Sequence, residues 1–82
     1  MSRIIDGENN NIIGENLGRI REQQGLSQQA LSNKLETLAV YICRGSISRI
    51  ENGQRTVTDI ELAGLAEVLD VSLDELFKKN TK

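Results

Sequence analysis

The sequence has no proline, histidine or tryptophan, and only one cysteine, one tyrosine and one phenylalanine among its 82 residues. Without histidine, the thiol of Cys43 has no imidazole to serve as its base, and the usual ligand set of a zinc site is missing. A lone cysteine also excludes an intrachain disulfide. We therefore predict no enzyme activity, no metal and no cofactor.

Long apolar stretches are missing as well. No run approaches the roughly 20 residues that a membrane-spanning helix needs, and the N-terminus lacks the charged-then-apolar pattern of a secretory signal. The expected location is therefore the cytoplasm, for a protein encoded by a prokaryote or its phage.

Aliphatic residues at helical spacing must form the core, because aromatic residues are so few. The length suits one small domain. We predict an all-α fold with a flexible N-terminal arm at residues 1–11, a folded domain at 12–77 and a basic tail at 78–82.

The first two helices follow from periodicity and from residues that favour helix ends. Helix 1 is predicted over 12–24, before Gly25, which suits the left-handed position after a helix. Helix 2 is predicted to begin at Gln28, after Ser27 as N-cap, and to last to Thr37 or Ala39. Their inward-facing residues are Ile13, Leu17, Ile20, Ala30, Leu31, Leu35 and Leu38.

Three further helices are predicted in the second half. Helix 3 spans about 44–52, with Ile47 and Ile50 facing inward and Gly53 as its stop. The capping boxes TDIE at 58–61 and SLDE at 72–75 begin helices 4 and 5. The last core cluster is predicted to be Leu73, Leu76 and Phe77.

Charge is distributed unevenly along the chain, whose formal net charge is −2. Residues 14–56 hold six basic and four acidic side chains, whereas residues 57–77 hold six acidic and no basic ones. At physiological salt the Debye length is about 8 Å, so charge on the far side of a domain is largely screened. The net negative charge therefore does not exclude a polyanionic partner of the basic half.

Helix 3 presents one uniformly polar, non-acidic face. With Ile47 and Ile50 inward and about 100° between successive residues, the outer face carries Arg44, Gly45, Ser48, Arg49 and Asn52. Arginine can donate two hydrogen bonds to guanine, and serine can bond a base edge or a phosphate. Such a face suits a DNA major groove, although any solvent-facing helix stripe is also polar.

Glu51 falls on the border between this helix's buried and exposed sides, where a carboxylate needs a partner. Arg21 on helix 1 is the predicted partner. The pair would be structural, and would join the first helix to the third.

Three segments together resemble the lambda repressor and Cro (Xre-like) family of helix-turn-helix DNA-binding proteins. They are IGENLGRIREQQGLSQQAL at 13–31, ISRIENGQR at 47–55 and LAGLAEVLDVSLDELF at 62–77. The resemblance implies a compact five-helix domain in which helix 2 crosses the DNA backbone and helix 3 enters the major groove. It also provides a counterpart for the pairing of Arg21 with Glu51.

The resemblance also implies roles for individual residues. Arg44, Gly45, Ser48 and Arg49 occupy the positions that read base edges. Phosphate contacts are implied for Gln28, Ser46, Asn52, Gln54 and Arg55. The partner is double-stranded DNA, and such repressors usually bind paired half-sites as homodimers. One edge of the Leu73, Leu76 and Phe77 cluster is a candidate two-fold interface.

Two features depart from the family pattern. Eleven residues, ETLAVYICRGS, separate Leu35 from Ile47, about twice the usual number, so we expect a longer link after an extended helix 2. Cys43 stands where serine or threonine normally caps helix 3, and a thiol is the poorer acceptor. A weak cap is the expected reading, and a thiol switch is an alternative.

The predicted function is a sequence-specific transcriptional regulator that acts as a repressor. The alternative is a protein-interaction module, an antitoxin or antirepressor partner that binds through the acidic helices 4 and 5. That alternative leaves Arg44, Ser48 and Arg49 on one helix face unexplained. RNA binding is disfavoured because the chain has so few aromatic side chains on which bases could stack.

Overall fold

The chain folds into five helices in a computed structural model that describes residues 9–79. They are α1 (Gly14–Gln23), α2 (Gln28–Glu36), α3 (Arg44–Glu51), α4 (Asp59–Leu69) and α5 (Leu73–Phe77). The described residues contain no β-strand, and the predicted all-α class is confirmed. The predicted arm and tail lie largely outside the described residues.

Three helices begin where the sequence supplies a hydroxyl N-cap. The side chains of Ser27, Thr58 and Ser72 each accept a hydrogen bond from the backbone N–H three residues later. At Thr58 the capping box is complete, because its own backbone N–H donates to Glu61 Oε1 at 3.0 Å. Each bond satisfies a backbone donor that the first helical turn leaves without a partner.

Two helices end at glycines in the left-handed conformation. Gly25 follows α1 with φ of 71° and Gly53 follows α3 with φ of 74°. Residues with a Cβ adopt this conformation at a cost, whereas glycine does not. Both predicted helix ends are confirmed.

The core is a single cluster of aliphatic side chains. Ile47 and Ile50 are completely buried, as the orientation predicted for helix 3 requires. The members of the cluster are Ile13, Leu17, Ile20, Leu31, Leu35, Val40, Ile42, Ile47, Ile50, Leu65, Leu69 and Leu76.

Three residues predicted to lie in the core are half exposed instead. Leu38, Leu73 and Phe77 have 44%, 48% and 42% of their surface exposed. Leu38 lies beyond the end of α2, so the helical period that assigned it inward no longer applies there. In the five-residue α5, Leu76 alone is buried, because one short turn of helix offers only one residue to the core.

Helix 2 is not extended, contrary to the prediction. It ends at Glu36, and a turn over 37–39 follows, in which Ala39 has a left-handed φ of 59°. Backbone N–H groups of Leu38 and Val40 donate to the Leu35 carbonyl at 2.9 and 3.1 Å. These bonds satisfy the carbonyl at the helix end and turn the chain into an extended segment, residues 40–43.

Side-chain amides in and around α1 hold the C-terminal ends of three other helices. Asn11 donates to the Ile50 carbonyl of α3 at 2.9 Å. The buried Asn16 donates to the Leu76 carbonyl of α5 at 2.9 Å, and Gln24 donates to the Leu69 carbonyl of α4 at 2.7 Å. Because these carbonyls have no partner within their own helices, the amides fix where α3, α4 and α5 end relative to α1.

Candidate nucleic-acid interface

The outer face of α3 is a polar surface backed by the core. Ile47 and Ile50 point inward, while Arg44, Gly45 and Arg49 are exposed and Ser48 is half-buried on the other side. A Cβ at Gly45 would meet no atom within 4 Å, so the backbone there is open to close approach. The structure thus brings the four predicted base-reading residues onto one accessible face.

The two arginines on this face differ from Arg21 and Arg55 of the same part of the chain. Among residues 9–79, neither Arg44 nor Arg49 forms an ion pair. Arg49 makes only a 3.5 Å contact with Ser46 Oγ. By contrast, Arg21 and Arg55 each hold a carboxylate at hydrogen-bond distance. The guanidinium groups of Arg44 and Arg49, on the outer face of α3, are therefore available to a ligand.

Glu51 at the end of α3 is bound by residues from two other helices. Arg21 donates to both of its carboxylate oxygens, from Nε at 2.7 Å and from Nη2 at 3.0 Å. This hydrogen-bonded pairing raises the pKa of Arg21. Gln28, the first residue of α2, donates to Glu51 Oε1 at 3.1 Å. The two predicted pair members lie in contact, and Gln28 makes the pair a cluster that joins α1, α2 and α3.

Gln28 keeps capacity for a second contact. A side-chain amide nitrogen carries two hydrogens, and Glu51 uses one of them. The first turn of α2 also presents backbone N–H groups, which favour anions at a helix N-terminus. Of the other predicted phosphate contacts, Asn52 and Gln54 are exposed just after α3 and Ser46 is half-buried.

Arg55 forms an ion pair within the protein, and the sequence analysis did not predict it. Its guanidinium binds both carboxylate oxygens of Glu61 at 2.8 and 2.9 Å and donates to the Thr56 carbonyl. Hydrogen bonding to Arg55 holds the pKa of Glu61 below its usual value. The spacing of six residues to the capping-box glutamate was the signal available in the sequence.

Cys43 begins α3 without a side-chain cap bond. Its exposed thiol instead lies 3.4 Å from Ser46 Oγ. Hydrogen bonding to Ser46 lowers the pKa of the thiol. The Cys43 side chain therefore accepts no hydrogen bond from the first turn of α3, and the start of this helix lacks the stabilisation that a side-chain N-cap would give.

Comparison with known proteins agrees with this geometry. The family profile described as Helix-turn-helix matches residues 17–76. The restriction-modification controller protein C.AhdI from Aeromonas hydrophila is 32% identical, with a TM-score of 0.70 over 79% of this chain and 87% of that one. The DNA-binding domain of BldD is 32% identical, with a TM-score of 0.69 over 88% of this chain and 97% of that one. No curated protein matches the sequence.

The helices of residues 9–79 are all too short or too polar to cross a membrane.

Proposed function

This chain belongs to the lambda repressor and Cro-type (Xre-like) helix-turn-helix family and is a DNA-binding transcriptional regulator, and we propose that it is a repressor that reads a specific operator. In this proposal α3 enters the major groove, and the bound protein prevents access to a promoter. It acts in the cytoplasm, on the DNA of a prokaryote or a phage.

The outer face of α3 carries this proposal. Its two arginines have no carboxylate partner among the described residues, although other arginines of the chain do. In a chain of net charge −2, guanidinium groups without a partner on one helix face favour an external acceptor. Guanine O6 and N7 are such acceptors in the major groove.

The proposed contacts divide into base-reading and phosphate-binding ones. Arg44, Gly45, Ser48 and Arg49 face the base edges. The phosphate contacts are assigned to Gln28, Ser46, Asn52, Gln54 and Arg55. For Arg55 the contact uses the N–H groups that Glu61 and Thr56 leave unused, since arginine has five.

A homodimer on paired half-sites is part of the proposal. Leu73 and Phe77 lie half exposed on the short α5, and Ile60 on α4 is 69% exposed. Burying exposed apolar surface stabilises an interface by roughly 25 cal/mol for each Å². A second copy packed by two-fold symmetry on the exposed edge formed by Leu73 and Phe77 would place two α3 helices on one duplex.

Selection of bound duplexes from a random pool, at near-physiological salt, tests the proposal. We expect a paired motif to be enriched. Against that motif, Arg44→Ala and Arg49→Ala should each weaken binding by about 1–3 kcal/mol and relax the preference at one position. Gln28→Ala should weaken binding to all sequences alike, because phosphates carry no sequence information.

Arg19→Ala is the matched control. It removes the same charge from an exposed arginine of α1, whose side chain donates to Asn16, the residue that binds the end of α5. Its effect on affinity should be small. If no duplex is enriched, the proposal fails, and the interaction-module alternative, with its acidic α4 and α5, gains support.

A further inference from the structure

The link between α2 and α3 is longer than in the resembling family, and the structure shows what its extra residues form. After the turn at 37–39, residues 40–43 are neither helix nor turn and lead to Cys43, the N-cap of α3, whose own backbone is extended. Successive side chains of an extended segment point to opposite sides. Val40 and Ile42 are accordingly buried, with 9% and 3% exposed, and Tyr41 between them points outward.

Both buried neighbours of Tyr41 are held firmly. The Val40 side chain packs against α4 at Gly64, and the Val40 backbone N–H donates to Leu35. The Ile42 carbonyl accepts a hydrogen bond from Ser32 Oγ of α2 at 2.7 Å. The backbone of Tyr41 is therefore restrained on both sides, so that no further ordering of the backbone is needed when its side chain binds a ligand.

Tyr41 is the most exposed large hydrophobic side chain of residues 9–79, at 74%. Within these residues its hydroxyl makes no hydrogen bond. A tyrosine combines an apolar ring with a polar tip, and an exposed hydroxyl can donate a hydrogen bond to an external acceptor. Neither the core nor a neighbouring side chain explains its fixed, outward position.

The surroundings of Tyr41 favour a polyanion. It lies three residues before Arg44, which at about 3.3 Å for each extended residue is roughly 10 Å along the chain. Residues 37–50 contain Arg44 and Arg49 but no aspartate or glutamate. An approaching phosphate therefore meets no carboxylate of this segment.

We propose that the hydroxyl of Tyr41 donates a hydrogen bond to a DNA phosphate at the edge of the major groove, outside the bases that face Arg44. This inference rests on the proposed function, because it assumes that α3 lies in the groove. The bases of a duplex are stacked on one another, so the ring has no base on which to stack. A phosphate oxygen remains, and tyrosine is among the side chains that donate to phosphates. The link thus extends the contact surface beyond the N-terminus of α3.

Binding of the full chain to the duplexes it enriches from a random pool tests the inference. Tyr41→Phe and Tyr41→Ala should each weaken binding by about 10- to 150-fold, the equivalent of one hydrogen bond to a charged group. Leu38→Ala is the matched control, because Leu38 is an exposed apolar residue of the same link. Its affinity should equal that of the unchanged protein. The Tyr41 variants should unfold at the temperature of the unchanged protein, since that side chain is 74% exposed. Leu38 is half exposed, so binding is compared at a temperature at which every variant is folded.

A neutral methylphosphonate at single positions along the duplex locates the contact. At one position, outside the bases affected by Arg44→Ala, the methylphosphonate should lower the affinity of the unchanged chain. It should leave the affinity of the Tyr41→Phe variant unchanged. Tyr41→Phe binding every duplex as tightly as the unchanged chain would overturn the inference and leave the proposed function intact. If Tyr41→Ala weakens DNA binding and Tyr41→Phe does not, the phosphate contact is overturned, and the ring rather than the hydroxyl makes the contact with DNA or with a partner protein. Failure of the unchanged chain to enrich any duplex would instead remove the proposed function, and the inference with it.

Discussion

Removing the carboxylate of Glu51 should destabilise the whole domain. Arg21 and Glu51 have side chains that are only 10% and 11% exposed. Glu51→Ala leaves the Arg21 guanidinium buried without its counter-charge and leaves Gln28 without an acceptor. Removing one member of a buried pair costs about 3–5 kcal/mol. Arg21 keeps its bond to the Leu26 carbonyl, so we expect a loss near the low end, about 3 kcal/mol.

The loss is large compared with the total stability. A domain of this size has an unfolding free energy of about 4–12 kcal/mol. For small domains each kcal/mol shifts the unfolding temperature by about 4–8 °C, so Glu51→Ala should lower it by roughly 12–24 °C. Urea unfolding followed by far-UV circular dichroism measures the free energy, and a thermal scan measures the temperature.

A double-mutant cycle separates the pair from its surroundings. Arg21→Ala together with Glu51→Ala should cost at least about 2 kcal/mol less than the two single losses added, because the double variant leaves no charge buried alone. Glu22→Ala is the control, since Glu22 lies 3.7 Å from Arg21 with 74% of its side chain exposed. Its effect should stay within about 0.5 kcal/mol. Additive single losses, or an unfolding curve for Glu51→Ala that matches the unchanged protein, would refute the reasoning.

Four other changes have expected outcomes. Asn16→Ala should lower the unfolding free energy by about 2 kcal/mol in urea and speed amide hydrogen exchange in α5, since two carbonyls at its end lose their donor. Glu61→Gln should flatten the acid limb of stability against pH. Its folded pKa is depressed by Arg55, so its contribution is complete above the ordinary value, about 4.3, and is lost as pH falls through the lower folded value. Ala39→Gly should raise the unfolding free energy by about 0.5–1 kcal/mol, because φ is left-handed there, and Gly25→Ala should lower it.

Much of the candidate interface could be predicted from the sequence. The isoleucine spacing in α3 fixed which side is buried, and burial of Ile47 and Ile50 leaves Arg44 and Arg49 on the opposite side. The resemblance to a family provided the roles, and the family itself is confirmed. The sequence predicted a phosphate contact for Arg55 but not its ion pair with Glu61. A sequence does not show which of several carboxylates a long side chain will bind.

Errors concentrated where the helical period ends. Leu38 and Phe77 were placed in the core by a period that α2 and α5 do not sustain. Helix 2 was predicted to last to Thr37 or Ala39 but ends at Glu36, and the burial of Val40 and Ile42 in the link that follows was not predicted. Whether an apolar residue beyond a helix end faces inward depends on the next element that packs there, which here includes α4 at Gly64.

The sequence by itself determined where the helices begin, where α1 and α3 end, and which faces of the longer helices are apolar. Those features depend on backbone hydrogen bonds and side chains within about four residues, as at Ser27, Thr58 and Gly53. Only the tertiary structure decided which amide meets which helix end, that Gln28 joins the pair of Arg21 and Glu51, and that Tyr41 points into solvent. These contacts join residues as many as 62 positions apart, so packing of the whole chain, rather than any local pattern, selects them.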